Sequence, residues 1–221
     1  MSVLSPQRTD LDNRPPEQRL SFVNPLTRGR VVAVSAVGEA DGSCGAAAAL
    51  ACARADVDTA TLLVDAGGRT PRPTLVASAA AQKLEERLAA HLPDHRIAAR
   101  GQVCHLAVPA EVEGLEVAGA AATILRDGLT ALHVPPPLLQ PALASRSLRP
   151  TGVLLRANLR EDRALVGLVV RDLLEGELAV AVLKRRLTWV AERRALFGVL
   201  PPGGSGGLPE RLVGRLCGPR R

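Results

Sequence analysis

Tyrosine is absent from this chain of 221 residues, and Phe22, Trp189 and Phe197 are its only aromatics. Proteins that bind single-stranded nucleic acid stack bases on aromatic platforms, so specific nucleic-acid binding is not expected. Cysteine is sparse. Cys44, Cys52, Cys104 and Cys217 are widely spaced and form no CxxC pair, which favours free thiols over a disulfide framework or a metal site. No apolar run reaches the roughly 18–20 residues that cross a bilayer. Residues 1–30 are rich in Pro, Arg, Asp and Gln and lack the apolar segment of a secretory signal. The expected location is the cytoplasm, with the inner face of the membrane as a peripheral alternative.

What is present is a hydrophobic share of 47%, enough for a sizeable core at this length. Charge is unevenly placed. The chain carries +6 overall, residues 184–221 carry +7 and the remainder carries −1. Lys184, Arg185, Arg186, Arg211 and Arg215 are the candidate contacts for an anionic membrane surface or an acidic partner. A solvated basic surface is the plainer alternative.

Apolar runs predict strands over Val31–Ser35, Thr59–Asp65, Val103–Val108, Leu129–Val134, Gly152–Arg156 and Leu178–Leu183. Helical patterns lie between them, over Ala46–Arg54, Ala77–Leu92, Gly119–Asp127, Arg160–Leu174 and Thr188–Leu200. Strands alternating with helices imply βαβ crossovers. The expected fold is α/β: a three-layer, doubly wound, mostly parallel sheet over residues 30–200, with disordered arms at both ends. Residues 1–29 form the first arm. A Gly/Pro linker over 201–207 leads to a basic tail over 208–221, where Leu208, Leu212, Val213 and Leu216 would share one helical face. Such a tail could lie on an anionic membrane or fray.

The first strand runs into Gly38, Gly42 and Gly45 and then into an alanine-rich helix. Strand, glycine-rich turn and helix start are the parts of a phosphate cradle, in which backbone N–H groups meet the anion, a Lys meets the terminal phosphates and a Ser/Thr holds Mg²⁺. Here Ser43 stands where the Lys would be and Cys44 where the Ser/Thr would be. Sulfur is a poor ligand for Mg²⁺, which prefers oxygen, and Glu39 and Asp41 add negative charge to the turn. The alternative is a tight βα turn whose glycines only let helix and strand pack closely.

The order strand, Gly-rich loop, Ala-rich helix and then Leu62-Leu63-Val64-Asp65-Ala66-Gly67 resembles the ParA/MinD group of P-loop ATPases. The resemblance implies a P-loop-NTPase-like fold over roughly residues 30–200. It sets Ser43 at the phosphate-binding Lys, Cys44 at the Mg²⁺-binding Thr and Ala49 at an Asn. Asp65 matches the first Asp of the family's D-x-D, and Gly67 replaces the second. The family's hydrophobic-D-T-P-P strand end corresponds to Leu132-His133-Val134-Pro135-Pro136, which has no Asp. The resemblance therefore implies a degenerate, catalytically silent member, akin to the TadZ/CpaE pilus-assembly type. It also likens the tail to the membrane-targeting helix of MinD.

Other candidates are weaker. His91 and His95 have metal-like spacing, but Pro93 lies between them; no metal site is expected. His105 and His133 read as satisfied core or strand-end histidines, and no Ser-His-Asp arrangement is legible. The expected function is a pseudo-ATPase acting as a scaffold or localisation partner, with a protein partner or a second copy of itself and no cofactor. Two alternatives stand beside it: an ATPase that binds ATP and Mg²⁺ through a nonstandard loop, and a membrane-surface binder working through the tail.

Overall fold

The computed structural model describes residues 30–37, 43–55, 60–67, 76–125, 128–157, 168–169, 179–184, 196–199, 213 and 216–217. Strand β1 is Arg30–Ala36, β2 Thr61–Asp65, β3 Arg96–Arg100, β4 Val103–Ala107, β5 Leu129–His133, β6 Gly152–Ala157, β7 Ala179–Lys184 and β8 Leu196–Val199. They form one sheet in the order β3-β4-β2-β5-β1-β6-β7-β8. Every pairing is parallel except β3 with β4. Strands β1, β2 and β5 are buried on both faces, which is why they read as continuous apolar runs rather than as alternations.

Helices cover both faces, as a doubly wound sheet requires. Helix α1 (Ser43–Arg54) lies on one side, where Ala46, Ala47, Leu50 and Ala51 pack against Val32, Val34, Leu63, Ala131 and Leu154. Its alanines favour the helix and bring its axis close to the sheet. The Thr61 hydroxyl donates to the Ala51 carbonyl at 3.1 Å and ties α1 to β2. Helices α2 (Ala79–His91), α3 (Val112–Leu125) and α4 (Leu139–Ala144) contribute to the cluster on the other side, through residues such as Leu84, Leu88, Leu115, Ala118 and Leu139. Ser78 caps α2, its side chain accepting from the Ala81 N–H at 3.2 Å.

Several differences from the expectation have physical causes. Helix α3 starts at Val112 rather than Gly119. Gly114 and Gly119 look like breakers, yet they serve close approach: a Cβ on Gly114 would enter the Pro109 carbonyl oxygen, and one on Gly119 the Ser147 side chain. Strand β3 is not among the expected strands, because Arg96-Ile-Ala-Ala-Arg100 is short and ends in charges; it is the antiparallel edge, joined to β4 through Gly101 and Gln102. Leu139–Ala144 adds a helix after the prolines. Leu196–Val199 is a strand pairing β7, whereas the sequence pattern predicts a helix over Thr188–Leu200; four largely apolar residues fit either period, and pairing with β7 decides. Of the helix expected over 160–174, only Leu168 and Val169 are described, and both are helical. In the tail, Val213, Leu216 and Cys217 are helical and buried in the α1-side cluster. The arm expected over 1–29 and the linker expected over 201–207 lie outside the described residues.

Candidate functional site

Strand order assembles the site. Strands β2, β5 and β1 are neighbours and parallel, so their carboxyl ends open onto one edge. From β1 the chain winds to β2 on one side, and after β5 it resumes at β6 on the other. Crevices at such reversal points, outside the carboxyl ends, are where open α/β sheets take ligands. Asp65 is the last residue of β2 and His133 the last of β5, and the two are register partners. Leu63 and Ala131, two residues earlier on the same strands, pack on the α1 side, so Asp65 and His133 face that side too. Ser43 and Cys44 open α1 and arrive at the same edge.

Four side chains meet there. His133 Nδ1 lies 2.7 Å from Asp65 Oδ1, and His133 Nε2 lies 2.9 Å from Ser43 Oγ. Cys44 Sγ donates to Asp65 Oδ2 at 3.6 Å. The Gly67 backbone N–H donates to Asp65 Oδ1 at 2.8 Å. An ionised carboxylate only accepts, so Nδ1 carries a hydrogen, and in the neutral ring Nε2 then accepts from the Ser43 hydroxyl. Asp65 is fully buried. Burial alone would raise its pKa, but the His133 hydrogen bond, the Gly67 N–H and the charges of His133 and His105 hold it below the ordinary carboxylate value. The pair therefore holds an ionised carboxylate in the interior.

Gly67 has a packing role at this site. A Cβ there would lie 3.1 Å from Asp65 Oδ1 and 3.4 Å from His133 Cε1. The resemblance counts Gly67 as a lost second Asp; in the fold it makes room for the imidazole and supplies its N–H to the carboxylate.

Among the described residues, none of the other expected site residues joins this hydrogen-bonded cluster. Gly38 and Gly42 lie outside the described residues. Gly45 is exposed in the first turn of α1, and a Cβ added there would meet open space, so close packing does not explain it. Lys184 ends β7, far along the sheet from β2, while Arg185, Arg186, Arg211 and Arg215 lie outside the described residues. His91 closes α2 and its Nδ1 bonds the Arg87 carbonyl, so it makes no helical pair with His95. His105 is buried, with both ring nitrogens unpartnered among the described residues, contrary to the satisfied histidine expected. Arg156, near the end of β6, is buried, and its carbonyl accepts from the Val37 N–H.

No Ser-His-Asp arrangement is legible in the sequence, where His133 reads as a strand-end residue. The fold joins Ser43, His133 and Asp65 in one hydrogen-bonded chain. The available signal is that three apparent losses (Cys44, His133 and Ser43) are all residue types that bond protons or metals. The chain has the connectivity of nucleophile, base and orienting carboxylate. The Cys44 thiol on the second carboxylate oxygen adds a soft donor.

No family model matches the chain, and no curated protein matches it. Among solved structures, it is similar to a nucleotide-binding protein from Archaeoglobus fulgidus in complex with ADP, at 16% identity and a TM-score of 0.43, over 76% of this chain and 69% of that one. It is also similar to a ParA family ATPase from Chlorobium tepidum, at 15% identity and a TM-score of 0.41, over 77% of this chain and 73% of that one.

Proposed function

We propose that this protein is a P-loop-like pseudo-ATPase: a nucleotide-silent α/β domain that acts as a scaffold or localisation partner, through a protein partner or a second copy of itself. One observation carries the reading. Ser43 and Cys44, the residues at the lysine and Mg²⁺-ligand positions of the resemblance, turn inward and bond His133 and Asp65. The positions that would serve phosphate and metal instead serve the protein's own network. Ser43 offers no positive charge. The donor set around Asp65 is imidazole and thiol, whereas Mg²⁺ takes oxygen ligands in an octahedron. Without the ion, a phosphate charge about 4 Å from the Asp65 carboxylate is repelled by about 4 kcal/mol at an effective dielectric near 20.

Calorimetric titration with ATP, ADP and GTP plus Mg²⁺ at millimolar ligand tests the reading. The expected result is no binding heat and no phosphate release. Turnover that disappears in Asp65→Ala overturns it, as does nucleotide binding lost in Arg156→Ala, since Arg156 is a buried cation at the carboxyl end of β6, in register with Ala36 of β1. For the membrane alternative, two residues of the expected apolar face, Val213 and Leu216, are buried in the α1-side cluster, while Leu208 and Leu212 lie outside the described residues.

A second reading rests on the 2.9 Å and 2.7 Å contacts that run from Ser43 through His133 to Asp65. It makes Ser43 a nucleophile for acyl transfer. Labelling of Ser43 by a fluorophosphonate, lost in His133→Gln, supports that reading; an unlabelled Ser43 removes it.

A further inference from the structure

We propose that Cys44, Asp65 and His133 form a site for one transition-metal ion of the Zn²⁺ class, with Ser43 and Gly67 as its outer support. Measured against the resemblance, Cys44 and His133 are losses and Asp65 is kept. In the fold they stand together as a thiol, a carboxylate and an imidazole whose ligand atoms all lie within 4.8 Å of one another. Sulfur and imidazole nitrogen are wrong for Mg²⁺ and right for Zn²⁺, Co²⁺ and their neighbours.

The distances suit a tetrahedral ion. Zn–S near 2.3 Å, Zn–N near 2.0 Å and Zn–O near 2.1 Å put ligand atoms roughly 3.3–3.6 Å apart. Cys44 Sγ and Asp65 Oδ2 are 3.6 Å apart without adjustment. His133 Nδ1 and Asp65 Oδ1 are 2.7 Å apart because a proton joins them. With Oδ1 as the ligand oxygen, replacing that proton with the ion needs an opening of about 0.6 Å there; with Oδ2, which Cys44 already meets at 3.6 Å, the imidazole must swing across the carboxylate.

Charge and protons balance. The metal takes the place of the Nδ1 hydrogen, and that proton is carried over to Nε2, so the ring stays neutral. Nε2–H then donates to Ser43 Oγ, reversing the present bond. Cys44 loses its thiol proton to solvent. One proton leaves per ion bound, and a thiolate and a carboxylate neutralise the 2+ charge in a buried place. Liganding histidines usually give their second N–H to an outer partner that fixes the ring; Ser43 already stands 2.9 Å from that nitrogen. The Gly67 N–H holds the carboxylate in the same way. The described residues supply three ligands, which leaves a fourth position for water.

The test uses the metal-free full-length protein and Co²⁺ as the probe. The expected result is one Co²⁺ per chain, with an intense sulfur-to-cobalt charge-transfer band in the near ultraviolet and visible bands of tetrahedral strength. Zn²⁺ should bleach them, and millimolar Mg²⁺ should leave them unchanged. Titration in buffers of different ionisation heat should show one proton released. Cys44→Ser should remove the charge-transfer band, His133→Gln should weaken binding more than tenfold with an unchanged far-ultraviolet circular dichroism spectrum, and Ser43→Ala should weaken it about tenfold. Cys52→Ser, on the exposed side of α1, should change nothing. Absence of bound Co²⁺ overturns the proposal. So does binding without the sulfur band, a band that survives Cys44→Ser, or displacement by Mg²⁺. The proposal shares its residues with the nucleotide-silent reading but fails separately. Binding of ATP in the calorimeter would end that reading, and absence of the cobalt band would end this one.

Discussion

Two histidines on the same face of the sheet show what the carboxyl edge provides. His133 ends β5 and His105 lies in the middle of β4, opposite Leu63 and Ala98. Both are buried. His133 has a partner on each ring nitrogen; His105 has none among the described residues. At a strand end the chain turns away, and a turn N–H and the first residues of a helix can reach a buried polar group. In mid-strand the backbone groups are committed to the ladder, and the register partners of His105, Leu63 and Ala98, are apolar. Burial lowers the pKa of His105, with Asp65 pulling it up and Arg100 pushing it further down. One imidazole belongs to a network; the other is an interior defect close to it.

That contrast can be broken by making the same change at both places. His133→Leu should be the most damaging substitution, costing about 3 kcal/mol, because it strips a buried carboxylate of its main partner. Urea unfolding measures it, and a cost below about 1 kcal/mol would mean that the network contributes little. Gly67→Ala should cost about 2 kcal/mol in the same assay, since the new methyl presses on both Asp65 and His133. His105→Leu should move stability the other way, up by about 1 kcal/mol near neutral pH, because it removes an unpaired polar group from an apolar setting. A loss of stability in His105→Leu would show that the imidazole has a partner the contrast ignores.

The pH dependence sharpens the same comparison. The unfolded chain protonates His105 near its ordinary value of 6.5, while the folded chain resists until lower pH. The unfolded state therefore binds more protons, and stability should fall as pH drops below 6.5. Asp65 behaves alike at lower pH: its folded pKa lies below 3.8, so its contribution is present above that value and is lost as pH falls through the folded pKa. Melting temperature against pH should show a first decline from about 6.5 that His105→Leu abolishes, and a second below about 4 that it leaves in place.

Much of the fold is legible in the sequence. The runs Val31–Ser35, Thr59–Asp65, Leu129–Val134 and Gly152–Arg156 read as strands, the first as one covered on both faces, and the alternation with helices implies a parallel sheet. The elements that escape are those where local pattern and final state disagree. Arg96–Arg100 is too short and charged to announce a strand, the glycines of α3 look like breaks until Pro109 and Ser147 are packed against them, and Leu196–Val199 takes its state from β7. The site is half legible. Ser43, Cys44 and Asp65 stand out as positions in a loop and a strand end, but His133 taken by itself is only a strand-end residue.

By itself the sequence determined the residue types and their local settings: a serine and a cysteine just ahead of an alanine-rich helix, and an aspartate and a histidine at or near the ends of apolar strands. Hydrophobic period and turn chemistry act over a few residues, and that was enough for these. Only the tertiary structure decided that the four side chains meet. Asp65 and His133 are 68 residues apart in the chain, and Ser43 and His133 are 90 apart. Their contact depends on β5 inserting between β2 and β1, a choice made by packing the whole sheet rather than by any segment of it. The same physics explains the two histidines: their sequence surroundings are similarly apolar, and strand order and depth in the sheet decide which one finds partners.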